Sequence, residues 1–434
     1  MDLLNGNIRT LYRKYLTAAF GSALISCIYG MVDMAMVGQY AGPNGTAALA
    51  VVAPVWNVIY SLGLLMGIGG SVIFSAKRGG HQSADENQYF TSSVIGSVIL
   101  AALSWIGIAL FETPVLNFFG ADETLLPLAQ EYMRPIKVVF PLFLFNQMLA
   151  AYLRNDGDPQ LATIGVLAGG IFNVFGDYCF VFPCKMGVYG AGLATAIGSA
   201  ISFVVMMLHF ISKKNTLKMV KVEKLPKKLQ EITVTGFSSF FIDVAMGILT
   251  VLFNRQIMKY LNADALAVYG PIINVSTFVQ CCAYSVGQAA QPLISTNLGA
   301  GKYDRIRETL KLSIITTFVF GIFWTALSLI APNLYIYIFM SPTEEILNIA
   351  PKIIRMYALS FLMLPFNIFS TYYYQSIMNP KKAFVISVAR GLIISGTLIL
   401  ILPVLFEPNA IWCAMTITEA LTMLYAGQGM KTQK

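Results

Sequence analysis

Four carboxylates stand inside long apolar runs of this 434-residue chain: Asp33, Asp177, Asp243 and Glu419. The rest of the 21 acids fall in polar links or at the ends of apolar stretches. An ionisable group surrounded by hydrocarbon costs roughly 2.5–3.5 kcal/mol on insertion scales, so each of the four is a candidate for binding or moving a charge. The competing role is that of a neutral or hydrogen-bonded acid that only ties helices together. That role weighs more heavily for Asp243 and Glu419 than for the first pair.

The elements that position these acids are membrane spans. Hydrophobic residues make up 56% of the chain and charged residues only 12%, which excludes the ordinary soluble class. About a dozen apolar segments approach or exceed the ~20 residues that cross ~30 Å of hydrocarbon. No water reaches the backbone there, so each segment must satisfy its N–H and C=O groups internally, as a helix. The spans run approximately over 16–40, 47–76, 91–111, 134–154, 161–182, 189–211, 235–260, 265–296, 311–331, 354–376, 384–405 and 409–427. The fold class is therefore an all-α membrane protein with twelve transmembrane helices.

Depth along these helices groups the acids. At 1.5 Å per residue, Asp33 lies roughly 26 Å above the inner end of the first span and Asp177 roughly 24 Å up the fifth. Thr195, about six residues below the outer end of the descending sixth span, reaches a similar level. Asn173 is one turn below Asp177 on the same face. Two carboxylates, an amide and a hydroxyl thus converge in the outer half of the N-terminal bundle. Such an oxygen-rich group suits a hard cation such as sodium, or a proton shared between buried carboxylates. Tyr29, one turn below Asp33, either donates a hydrogen bond there or fills space between helices. Asp243 and Glu419 lie about 15 Å deep, near the midplane.

The net charge of +8 is a topology signal rather than a nucleic-acid footprint. With the amino terminus inside, most basic residues fall on the inner side, among them Arg9, Arg13, Lys77, Arg78, Lys302, Arg305 and Lys434. The densest group is KKNTLKMVKVEKLPKKL, Lys213 to Leu229, with seven lysines and one acid. Both termini and this linker are expected in the cytosol of a multi-pass plasma (inner) membrane protein, touching anionic lipid but no nucleic acid and no obligate protein partner. The organisation is an N-terminal six-helix bundle over 1–212, a basic cytosolic linker over 213–230 and a C-terminal six-helix bundle over 231–434. The first apolar run is long enough to be a span, so no cleavable signal peptide is expected. The six cysteines lack metal-ligand spacing and imply neither zinc nor disulfides. His81 and His209 read as solvated or interfacial residues near the inner side. Gly67, Gly69 and Gly70 suit a close helix-packing face rather than a phosphate loop. Without hydrolase, phosphate-loop or metalloprotease motifs, neither an enzyme nor a cofactor is expected.

The two halves repeat. A-L-A-V-V-A-P-V-W-N-V, Ala48 to Val58, recurs as A-L-A-V-Y-G-P-I-I-N-V, Ala265 to Val275, with seven of eleven positions matching at an offset of 217. Further on, an offset of 221 pairs Arg134 with Arg355, Asn146 with Asn367, Tyr152 with Tyr373 and Pro159 with Pro380. The loops beginning at Gly120 and Ser341 sit at equivalent outer positions. Six spans per half is an even number, so both bundles enter the membrane in one orientation, related by a pseudo-twofold axis along the membrane normal. Two bundles facing across a cleft can rock, which favours a carrier over a channel. The repeat does not extend to the acids: Asp33 aligns with Thr250, and Asp243 with Ser26.

Y-G-M-V-D-M-A-M-V-G around Asp33, R-N-D-G-D-P, F-N-V-F-G-D-Y followed by G-A-G-L-A-T, and Q-P-L-I-S-T-N-L-G-A-G-K-Y-D-R in the second half resemble the multidrug and toxic compound extrusion (MATE) transporters, in their DinF-like branch. The resemblance covers essentially the whole chain. It implies a two-lobed antiporter that expels small organic, often cationic compounds by alternating access, coupled to inward sodium or proton gradients. Asp33, Asn173, Asp177 and Thr195 fall where DinF-like members keep their N-lobe cation or proton site, with Asn146 and Tyr29 as neighbours, and any sodium would sit among the first four. Asp243 resembles a NorM-like acid on helix 7 and Glu419 the helix-12 acid, giving a candidate C-lobe coupling pair. Position 367 is Asn where NorM-like members have an acid, and Thr416 stands where a proline is usual. A flippase of lipid-linked saccharide, with a related fold, is the alternative.

Overall fold

The computed structural model describes residues 2–80, 83–339 and 342–431; His81, Ser341 and Lys434 lie outside them. Helices dominate, and no strand occurs among the described residues. The first helix, α1 (Ile8–Gly79), continues through the polar link expected near position 42 and bends there, at Gly42, with φ 67° and ψ −155°. Only glycine adopts that backbone conformation readily, and Pro43 follows it. Each arm of α1 is long enough to cross a membrane. Eleven helical stretches meet that length and apolarity, so counting both arms gives twelve.

The N-terminal lobe is completed by α2 (Ser83–Phe118), α3 (Leu125–Asn155), α4 (Pro159–Val181) and α5 (Gly187–Met207). After a helix-free stretch over 212–224, the second lobe follows as α6 (Leu225–Tyr260), α7 (Ala263–Gly299), α8 (Tyr303–Ile330), α9 (Pro332–Phe339), α10 (Glu344–Ala358), α11 (Leu364–Ser376), α12 (Pro380–Val388), α13 (Ile394–Leu405) and α14 (Ala414–Lys431). A single π turn, Ala389–Ile393, joins α12 to α13. Such π turns open the helical hydrogen-bond ladder locally and occur often at functional sites.

The lobes meet most closely at the end that carries the amino terminus and the linker, called here the basal end. Gly69 comes so near α6 that an added Cβ would lie 3.1 Å from the Cα of Gly236 and 2.9 Å from its nitrogen. Gly79 and Gly299 similarly face the backbones of Thr296 and Ala76, where any side chain would collide. Small residues thus let backbones approach where lipid provides no hydrophobic drive between helices. Among the described residues, hydrogen bonds and ion pairs between lobes gather at this end. Arg305 donates to the carbonyls of Leu3 and Gly6 at 3.0 and 2.8 Å, and Tyr12 donates to Thr316 at 3.1 Å.

Two expectations from sequence need correction. His209 is fully buried rather than solvated: its Nε2 lies 2.7 Å from Asp156 and its Nδ1 3.5 Å from Asp158. Asp156 also takes hydrogen bonds from Arg78 at 2.8 Å, from the Thr216 N–H at 2.9 Å and from the Thr216 hydroxyl, while Lys214 reaches Asp158 at 2.8 Å. The two acids of R-N-D-G-D-P therefore fasten the start of the linker to the N-terminal lobe. Burial alone would raise the Asp156 pKa, but His209, Arg78 and Thr216 together hold it below the usual carboxylate range. The second correction concerns cysteine. Cys27 of α1 and Cys281 of α7 bring their sulfurs together across the lobe boundary, a juxtaposition hidden in sequence by a separation of 254 residues.

Candidate functional site

The oxygen-rich cluster forms where the first arm of α1 meets α3, α4 and α5. Asp177 is fully buried and Asp33 is 6% exposed. Asp33 Oδ2 accepts a hydrogen bond from the Tyr132 hydroxyl and a longer one, 3.5 Å, from Thr195 Oγ1. Asn173 Nδ2 donates to Thr195 Oγ1 at 3.0 Å and to Asp177 Oδ1 at 3.4 Å. The helical spacing that sets Asn173 one turn from Asp177 thus produces a direct contact. Thr195 and Asn173 together link the two acids, Thr195 on the Asp33 side and Asn173 on the Asp177 side.

Three acceptor oxygens in this cluster are buried without a hydrogen-bond partner: Asp33 Oδ1, Asp177 Oδ2 and Asn173 Oδ1. Leaving buried acceptors unpaired is costly, so such a group is poised to receive a proton or a hard cation. Below it lies a recess lined by Tyr29, Tyr60, Asn146, Asn173 and Thr195 among others. Tyr29 does not donate to Asp33; its hydroxyl meets that of Tyr60 at 2.7 Å. Asn146 donates from Nδ2 to the Ser199 carbonyl and hydroxyl, both at 3.0 Å. All six N-lobe candidates therefore border one region. Tyr132 was not singled out in the sequence, because nothing marks it among 21 tyrosines.

The C-terminal lobe is built differently. Glu419 is fully buried, and its Oε1 accepts from Arg390 Nε at 2.8 Å. Asn367 Nδ2 donates to Glu419 Oε2 at 2.6 Å and to its carbonyl at 2.8 Å. Asp243 stands apart from this pair and accepts from the Tyr284 hydroxyl at 2.8 Å. Arg390 sits in the π turn. Its partner lies 29 residues away on another helix.

The repeat continues into these details. Asn146 and Asn367 each use Nδ2 to hold the carbonyl and side chain of a residue 53 or 52 positions later. Offset 221 also sets Gly169 opposite Arg390 and Gly170 opposite Gly391. A Cβ at Gly169 would strike the Gly198 carbonyl and the Ser202 hydroxyl, so the N-terminal lobe leaves no room for a side chain there.

With this geometry established, similarity to known proteins becomes informative. The MatE family profile matches residues 18–179 and 238–397, one block in each lobe. A Multidrug export protein MepA from Staphylococcus haemolyticus is 24% identical over 392 residues, covering 90% of this chain and 84% of its own length. The protein of the same name from Staphylococcus aureus is 24% identical over 413 residues, covering 93% and 89%. Among solved structures, an outward-facing multidrug resistance MATE transporter superposes with a TM-score of 0.90 at 18% identity, covering 99% of this chain and 97% of that one. The MATE multidrug transporter DinF-BH in complex with R6G superposes with a TM-score of 0.88 at 24% identity, covering 98% and 95%.

Proposed function

This chain belongs to the MatE family, and from that premise we propose that it is a multidrug efflux antiporter, exporting small organic, often cationic compounds by alternating access in exchange for sodium or protons. The observation that carries the coupling is the buried pair Asp33 and Asp177 with its unspent oxygens. A ligand shifts a conformational equilibrium only by its differential affinity for the two states. A cation or proton entering this pair neutralises it and lets α1, α4 and α5 repack, whereas an organic cation profits from the charged pair. The multidrug names borne by relatives support the substrate class.

In this reading lobes 1–212 and 231–434 rock about the glycine contacts at the basal end, and the present arrangement is the one closed towards the cytosol. The basal end is cytosolic because the basic linker and the basic loops crowd there. No observation favours the flippase of lipid-linked saccharide. The topology is tested by Val220→Cys in a background without other accessible thiols. A membrane-impermeant maleimide should label it only after the membrane is breached, and ready labelling of intact cells would overturn the orientation. Function is tested with ethidium efflux from energised vesicles, imposing sodium and pH gradients separately. Wild-type protein should pump under at least one gradient, and pumping under neither would overturn the coupled mechanism.

A further inference from the structure

We infer that the C-terminal lobe holds a second ligand subsite, in which Arg390 receives the carboxylate or sulfonate of an aromatic compound; this rests on the export reading above. The subsite is a recess between α6, α7, α10 and the π turn. Its walls include Phe253, Tyr269 and Tyr357, whose rings stand 5.0–6.3 Å apart, centroid to centroid, together with Met246, Met415 and Arg390. Aromatic and methionine walls with a few placed polar groups, here Arg390, Thr250, Ser276 and Gln280, are the make-up of a small-molecule site.

The polarity of this recess is opposite to that of its N-lobe counterpart. By the repeat, Met246 stands opposite Tyr29, Leu364 opposite Phe143 and Arg390 opposite Gly169, and all six residues line their recesses. The N-lobe recess leads to two carboxylates and has no basic side chain in its wall. In the C-lobe recess no acid lines the wall, and Arg390 is the basic group. Glu419 engages the guanidinium only from its side, through Nε. Among the described residues no further hydrogen bond from Arg390 is found, and its terminal nitrogens are not among the buried atoms lacking a partner. The end of the fork is therefore free to face the recess, and two parallel N–H groups match a carboxylate bidentately. Glu419 and Asn367 hold the fork in place, and the aromatic rings receive the body of the ligand. Compounds carrying both a cation and a carboxylate could engage both recesses in turn.

A matched pair of dyes tests this: rhodamine 6G, a cationic ethyl ester, and its free acid, which adds one carboxylate to the same ring system. Binding is read by fluorescence polarisation with the full chain in nanodiscs. The wild type should bind both dyes. Arg390→Lys, which keeps the charge but not the fork, should lower the affinity for the acid relative to the ester by about tenfold. The double variant Arg390→Gln/Glu419→Gln, which removes both charges and leaves neither unpaired, should do the same. Failure of the wild type to bind either dye would overturn the export reading itself. Binding of the ester without the acid, or a ratio unchanged in both variants, would overturn only the subsite.

Discussion

In the N-terminal lobe Asn146 holds Ser199, and in the C-terminal lobe Asn367 holds Glu419 through the same two hydrogen bonds. One scaffold thus presents a neutral hydroxyl in one copy and a charged carboxylate in the other. The consequence is visible on the neighbouring helix. Beside Glu419 the chain supplies Arg390, 2.8 Å away, while the equivalent position is Gly169, packed against backbone. The N-terminal lobe instead keeps its acids, Asp33 and Asp177, with no basic partner among the described residues and with oxygens unspent. The Glu419 charge is compensated within the protein, whereas Asp33 and Asp177 keep oxygens without a hydrogen-bond partner. Internal duplication therefore preserved the hydrogen-bonding frame and allowed the two electrostatic designs to diverge.

Neutralising the uncompensated pair should have the largest effect. Asp33→Asn and Asp177→Asn keep the shape of each side chain and remove the charge, so each should lower gradient-driven ethidium efflux by roughly tenfold or more at matched protein levels. Because both acids act at one site, the double variant should fall within about twofold of either single variant. Wild-type efflux in either single variant under both gradients would erase the contrast between lobes.

The compensated pair should respond in stability instead. Glu419→Gln leaves the Arg390 charge buried without its partner, and breaking a buried ion pair in this way costs about 3–5 kcal/mol. Removing both charges in Arg390→Gln/Glu419→Gln should recover much of that loss. Thermal unfolding in detergent would order the three proteins as wild type, double variant, then Glu419→Gln. A Glu419→Gln protein as stable as the double variant would mean that the ion pair contributes little.

Asp243 lies between the two behaviours, since it has one hydroxyl partner and no cation. Asn at this position still accepts from Tyr284, so Asp243→Asn should reduce efflux only partially, by about twofold to threefold in the same vesicle assay. A loss as deep as that of Asp33→Asn would give the C-terminal lobe a coupling acid of its own.

The smallest effect is expected outside the membrane, at Asp156. Its pKa is held below the ordinary carboxylate range, so its contribution to stability is present above that range and is lost as pH falls through the depressed value. Asp156→Asn should therefore lower the melting temperature by a few degrees at pH 7, and the difference should shrink as pH falls below the ordinary carboxylate range. Proteolysis within 213–224 should speed up as the linker loosens. Equal linker cleavage in both proteins would detach Asp156 from that role.

The sequence by itself determined the spans, the duplication and the depth of the acids. These follow from local chemistry: hydrocarbon excludes charge, an unhydrated backbone must be helical, and a fixed rise per residue converts position into height. Asn173 and Asp177 could be paired from spacing alone because both lie on one helix. Tyr132 at Asp33, Arg390 at Glu419, Cys27 at Cys281 and His209 between Asp156 and Asp158 could not. Each of these contacts depends on how one helix is rotated against another, and that rotation is set by the packing of whole faces, down to the backbone contact of Gly69 with Gly236. Depth tells which residues share a level of the membrane. Only the tertiary structure decides which of them face each other, and so which charges are answered within the protein and which are left for a ligand.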